Sequence, residues 1–208
     1  MGQPAAGKVV GDGTPRVGRG LTTRRALVAA ALELFAAKGV EATSVDEITA
    51  AADVAKGTFY VHFQRKQDVL LEWAAQLVEN LDTDSLPDDV PSALRQLGAQ
   101  LATTMATGPR PVTGRMVREM VGNSAAWVHV LGERQPLWGR IIPIIERGQA
   151  AGSIRADMTP LRLSMALTIL WLDNVVGWAE RDNARPLPQA MELATDLFLG
   201  GAAVSSAA

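Results

Sequence analysis

The sequence predicts an all-α protein, and three observations carry that prediction. Apolar residues recur at i, i+3, i+4 and i+7 in one segment after another, the signature of helices with one buried stripe. Start and stop signals punctuate these segments: a Ser44–Glu47 pair at capping-box spacing, prolines at helix starts and glycines at helix ends. No stretch shows strand-like alternation, and no hairpin turn of note joins two apolar runs. The 208 residues suffice for one substantial core or two modest ones.

Residues 1–20 are rich in Gly and Pro and lack periodicity, so a flexible basic arm carrying Lys8, Arg16 and Arg19 is expected. The spacing predicts a first helix from about Thr22 to Lys38, with Leu27, Ala30, Ala31, Leu34 and Phe35 on one stripe. Gly39 is placed to close it in the left-handed conformation. "TSVDEITAAADV" opens a short second helix, with Val45, Ile48 and Ala52 on one face, and a break near Asp53–Ala55 leads to a third starting at Lys56–Gly57. A fourth helix is expected from about Lys66 to Leu81, carrying Leu70, Trp73, Leu77 and Leu81.

The acidic "DTDSLPDDVP" (82–91) reads as a loop. Pro91 suits the first turn of a fifth helix, along which Leu94, Leu97, Leu101 and Met105 keep the period. Gly and Pro interrupt residues 108–132, where the pattern sets no firm boundary. "PLWGRIIPIIERGQAAGSI" reads as a helix bent or interrupted at Pro143 and ending near Gly152. Thr159 caps and Pro160 starts a helix to about Arg181 that is apolar nearly all round and so expected to be buried on most sides. The last helix, 187–199, aligns Leu187, Ala190, Met191, Ala194, Leu197 and Phe198 and is expected to stop at Gly200–Gly201.

The three short N-terminal helices, the last two joined by a tight turn, have the layout of a helix-turn-helix. Phe59 and Phe63 are four apart and fall on the inward face, toward Leu34, Phe35 and Ile48. Lys56, Thr58, Tyr60, Val61 and His62 are left on the outer surface or its edges. In this motif the exposed face of the second helix enters the DNA major groove. Thr58 can hydrogen-bond a base edge or phosphate, and Val61 can touch a thymine methyl. Lys56, Tyr60, His62 and Lys66 are long or edge-placed and suit phosphate, which positions the protein without specifying sequence. Ser44, Val45 and Gly57 complete the expected DNA-contacting set.

At these residues the chain resembles the TetR family of transcriptional regulators. The string is "TRRALVAAALELFAAKGVEATSVDEITAAADVAKGTFYVHFQRKQDVLL", with "GTFYVHF" followed by Lys66 its most specific part, and "RGQAAGSIRADM" (147–158) is similar to a segment often seen before the family's last two helices. The resemblance implies a homodimer with a DNA-binding head, a larger helical effector domain and an interface made by the last two helices. It also implies repression relieved by a small molecule. Ala55 departs from the family pattern, since many relatives carry there a Ser or Thr able to cap the third helix. The expected division is a basic arm (1–20), a DNA-binding domain (21–66), an effector-binding and dimerisation domain (67–200) and a tail (201–208).

All five tryptophans and six of the seven methionines lie beyond the motif. Such side chains line adaptable apolar pockets and also fill cores. Trp73, Met105, Met116, Met120, Trp127, Trp138, Trp171 and Asn174 form the candidate effector lining. The polar Asp173–Asn174 pair in an apolar helix is its sharpest hint, because a buried polar group needs a partner.

The formal charge of −2 hides an asymmetry. Residues 1–66 hold nine Lys/Arg against six Asp/Glu, and residues 67–208 eleven against sixteen. The basic part is the candidate for a polyanion. With no cysteine, disulfides, thiolate zinc sites and thiol catalysis are excluded, and a reducing cytoplasm is the expected location. The opening residues lack the apolar core of a secretory signal, and no run approaches a membrane span. There is no glycine-rich phosphate loop, catalytic triad or metal spacing, so neither an enzyme nor a cofactor or metal is expected. Double-stranded operator DNA, a small apolar or aromatic effector and a second copy of the chain are the expected partners. Two other readings stay open at this stage: a DNA-binding regulator without a small-molecule effector, and a helical interaction module whose basic head meets an acidic partner.

Overall fold

The computed structural model describes residues 16–122 and 136–202, and among them nine helices and no strand make up the regular structure. In chain order they are α1 (Arg16–Lys38), α2 (Val45–Ala51), α3 (Lys56–His62), α4 (Asp68–Glu79), α5 (Val90–Ala106), α6 (Arg110–Gly122), α7 (Pro136–Ala150), α8 (Pro160–Glu180) and α9 (Leu187–Ala202).

Local signals place most boundaries. Gly39 ends α1 with φ 86°, its amide donating to the Phe35 carbonyl at 2.9 Å. An L side chain would resist that left-handed backbone. Ser44 and Glu47 form the capping box at α2: the Ser44 amide donates to Glu47 Oε2 at 2.8 Å and the Glu47 amide to Ser44 Oγ at 3.2 Å. Asp89 caps α5 by accepting from the Ser92 amide, and Thr159 caps α8 by accepting from the Arg162 amide.

Two boundaries and one expected interruption differ from the sequence expectation. Helix α1 begins at Arg16, so residues 16–20 are helical and not part of a flexible arm. Gly18 and Gly20 each weaken a helix by about 1 kcal/mol relative to Ala, but neither blocks it sterically. Helix α7 runs unbroken through Pro143. The proline is exposed, while Ile141, Ile144 and Ile145 beside it are buried and hold both flanks in the core. Helix α9 continues past Gly200 and Gly201 to Ala202.

Helices α1–α3 form a small N-terminal head: α1 packs on α2, α2 on α3, and α4 leads away while still touching α1. In the body, α9 packs against α5 and α8, α6 and α7 flank α8, and α6 also reaches back to α1. One contiguous apolar core runs through both parts, from Leu27, Phe35, Ile48, Phe59 and Phe63 to Leu97, Met116, Ile145 and Trp171. Two close approaches fix the body. The Trp171 ring lies where a Cβ on Gly98 would come within 3.1 Å, and its indole N–H donates to Thr195 Oγ1 at 2.9 Å. The Trp73 ring fills the space over Gly108, where a Cβ would clash with it.

Candidate DNA-binding face and effector region

Helix α3 owes its position to two buried rings. Phe59 and Phe63 are 0% and 4% exposed, with ring centroids 5.5 Å apart. Their burial turns the opposite side of α3 outward. There Val61 is 79% and Tyr60 54% exposed, and Lys56 and Gly57 at the start of the helix are exposed as well. Tyr60 stands edge-on to Phe59, which fixes its ring while leaving its far side in solvent. A Cβ on Gly57 would meet nothing within 4 Å, so the backbone at the start of α3 is open to approach. Thr58 and His62 are half-buried at the rim. No side chain caps α3: Ala55 supplies only its carbonyl, which accepts from the Thr58 amide at 2.8 Å. The turn into α3 passes through Asp53 at φ 51°, a left-handed position that Asp tolerates better than most residues.

The cations around this face are already engaged. Lys56 pairs with Asp46 at 2.8 Å, and that carboxylate raises the lysine's pKa. Both groups are more than half exposed, so exchanging Asp46 for another anion costs little. Lys66 donates to the carbonyls of Glu41 and Thr43 at 2.8 and 2.9 Å, bracing the loop before α2 with two of its three N–H groups. Lys38 hydrogen-bonds Glu47 and, with the Ser44 amide, holds that carboxyl down at about 2. Ser44 itself closes the cap, and Val45 is half-buried against the core, so neither presents a wholly free group. Arg24 pairs with Glu72 at 2.5 Å and lies 5.0 Å over the Phe63 ring, joining α1 and α3 to α4. A further link escaped the sequence reading: Arg115 of α6 pairs with Glu41 at 2.6 Å, so the body grips the loop that Lys66 braces.

The expected effector residues fall on α4, α5, α6, α7 and α8, apart from Trp127, which lies outside the described residues. Trp73, Met105, Met116, Met120, Trp138 and Trp171 are all buried. The hint from Asp173 and Asn174 does not hold in the form the sequence suggested. Asp173 is exposed, and the half-buried Asn174 donates to the Leu170 carbonyl of its own helix, so this pair is not a buried polar site awaiting a partner. Trp171 has its polar partner in Thr195. Trp138 does not: among the described residues its buried Nε1 has no hydrogen-bond partner.

Residues 27–73 match the model of the bacterial regulatory proteins of the tetR family. The chain is 28% identical to a solved structure, the Thermus thermophilus FadR, a TetR-family transcriptional repressor in complex with lauroyl-CoA. That likeness covers 88% of this chain and 97% of the other at a TM-score of 0.69. The transcriptional repressor DhaR of Mycobacterium sp. (strain GP1) is 29% identical over 85% of this chain and 92% of its own. The transcriptional regulator AcuR of Cereibacter sphaeroides is 31% identical over 163 residues, 71% of this chain and 72% of that protein. The protein belongs to the TetR family. Membership makes it a DNA-binding transcriptional repressor regulated by a small-molecule effector, and the family acts as dimers.

This TetR-family repressor leaves a second apolar surface uncovered. Leu161 and Ile169 on α8 and Leu193 and Leu197 on α9 are 44–69% exposed, although α8 and α9 otherwise pack into the body. No helix among the described residues is long and apolar enough to cross a membrane, and none of them group as three or more candidate metal-binding His or carboxylate side chains.

Proposed function

We propose that the outer face of α3 reads a near-palindromic operator, with Val61 and Thr58 at base edges and Lys56, Tyr60, His62 and Lys66 at phosphates. The exposure of Tyr60 and Val61 on a helix anchored by Phe59 and Phe63 carries this reading. Val61, held out in water on a rigid element, suits a thymine methyl at a base edge, and the Tyr60 hydroxyl beside it suits a phosphate. Lys56 exchanges its exposed Asp46 partner for phosphate, and Gly57 lets the backbone come close. Lys66 braces the loop and offers its remaining N–H. Residues 21–66 act as the reading head and 67–200 as the effector-binding and dimerisation body, in a cytoplasmic protein.

The exposed leucines and isoleucine of α8 and α9 meet their symmetry mates in a two-fold dimer, setting two α3 helices about 34 Å apart or a multiple of that. The effector is an elongated apolar compound lodged among α4–α8, with Met105, Met116, Met120 and Trp138 its nearest candidates. Support comes from the buried Met and Trp content there and from the lauroyl-CoA held by the Thermus relative. The test is selection of bound duplexes from a random pool. The reading predicts a near-palindromic winner bound by a dimer, and release of that duplex by an acyl or similarly long apolar compound. Selection without enrichment, at any salt, would refute it.

A further inference from the structure

Two of the buried indoles among the described residues are treated differently. The N–H of Trp171 meets Thr195 at 2.9 Å, the usual resolution for an indole that serves a core. Trp138, in the first turn of α7, is 8% exposed, yet among the described residues its N–H has no acceptor. Among the described residues its ring also lies outside the contiguous apolar core that its neighbours Leu137, Ile141, Ile144 and Ile145 join. A donor withdrawn from water and left unpaired is costly and uncommon in native proteins. The same turn of α7 is fastened to the end of α4 by Arg140, whose Nη1 donates to the Leu81 carbonyl at 2.8 Å and Nη2 to the Glu79 carbonyl at 3.2 Å. Helix α4 in turn begins just after α3.

From this we infer that Trp138 Nε1 is the polar contact for the effector: the ligand carries a carbonyl oxygen, as in a ketone, ester or thioester, that accepts the indole hydrogen bond. The inference rests on the effector reading above and narrows it from an apolar compound to an apolar compound with an oxygen acceptor. The acceptor fixes which way the chain of the ligand runs, and its contact lies two residues from the Arg140 clamp on α4. Binding at Trp138 therefore bears on the helix that carries the head.

The test uses two probes of nearly equal shape, 2-dodecanone and 2-methyl-1-dodecene, which differ by a carbonyl oxygen against a methylene. Each is titrated into the full-length protein and into Trp138→Phe, with operator release followed in parallel. The inference predicts that wild type binds the ketone about tenfold more tightly than the alkene, and that this preference vanishes in the variant. Because the alkene reports any packing lost with the smaller ring, only the difference between probes is read. The same preference in both proteins, no preference in wild type, or no saturable binding of the ketone would each overturn it. If the preference is absent but long apolar compounds still release the operator, the effector reading stands without Trp138. If none releases it, the effector reading fails as well.

Discussion

Arg115 of α6 and Glu41 of the loop before α2 are paired at 2.6 Å, across 74 residues of sequence. The Glu41 carbonyl also accepts from Lys66, so one short loop is held by the body and by the residues following α3. The pair is thus a direct contact between α6 and the N-terminal head, separate from the connection through α4. Both side chains are partly exposed, so the pair adds little to global stability.

Arg115→Ala is accordingly expected to leave the melting temperature within about 3 °C of wild type, since about 1 kcal/mol shifts a protein of this size by about 2–4 °C. The variant should instead loosen the loop. Hydrogen exchange at residues 40–43 is the measurement: faster exchange there, with α8 and α9 unchanged, supports the link, and unchanged exchange at the loop contradicts it.

Glu47 sets a pH dependence. Its carboxyl is held at about 2, against an ordinary 4.5, first by Lys38 and then by the Ser44 amide. A carboxyl whose folded pKa is depressed contributes stability that is complete above 4.5 and is lost as pH falls toward 2. Glu47→Gln should melt lower than wild type at pH 6, and the gap should narrow between pH 4.5 and pH 2. A gap that is constant across that window would remove the carboxylate from the account.

Trp171 and Thr195 test the body's core. Thr195→Val keeps the shape of the side chain but leaves a buried indole N–H unpaired, at a cost of about 1–3 kcal/mol. Denaturant unfolding should show that loss, and Thr195→Ser should recover most of it. Equal stability of the Val variant and wild type would mean the hydrogen bond is not what holds Trp171.

The features legible in the sequence were those written in adjacent residues. The Gly39 stop, the Ser44–Glu47 box and the Thr159–Pro160 start each lie within four positions, and the Phe59–Phe63 pair within one helical turn, so spacing alone oriented α3. What escaped depends on distant groups. Arg115 meets Glu41, and Lys66 meets carbonyls 23 and 25 residues away, so a lysine expected wholly at phosphate also has an internal task. Composition likewise cannot tell one buried tryptophan from another: a threonine from another helix reaches the Trp171 indole, whereas Trp138 lies outside the contiguous core and, among the described residues, its indole meets no acceptor. The glycines at 200–201 misled because a helix still packed through Phe198 tolerates two poor formers in its last turn.

Gly57 separates folding from reading. Ala there meets no neighbour and is the better helix former by about 1 kcal/mol, so Gly57→Ala should melt a few degrees higher than wild type. If the backbone at this point approaches phosphate, the same variant binds operator at least about tenfold more weakly, equivalent to about 1.4 kcal/mol. Higher stability with unchanged operator affinity would exclude a close backbone approach at Gly57.

The measurement that bears most directly on the whole account is an anisotropy titration of the selected operator and a scrambled duplex, at several salt concentrations, with wild type, Lys56→Ala and Val61→Ala. The α3 reading predicts that Val61→Ala brings the two duplexes closer in affinity with the salt slope intact. It predicts that Lys56→Ala weakens both duplexes alike and lowers the slope by about 1. Wild-type affinities equal for operator and scrambled DNA, or discrimination untouched by Val61→Ala, would contradict it.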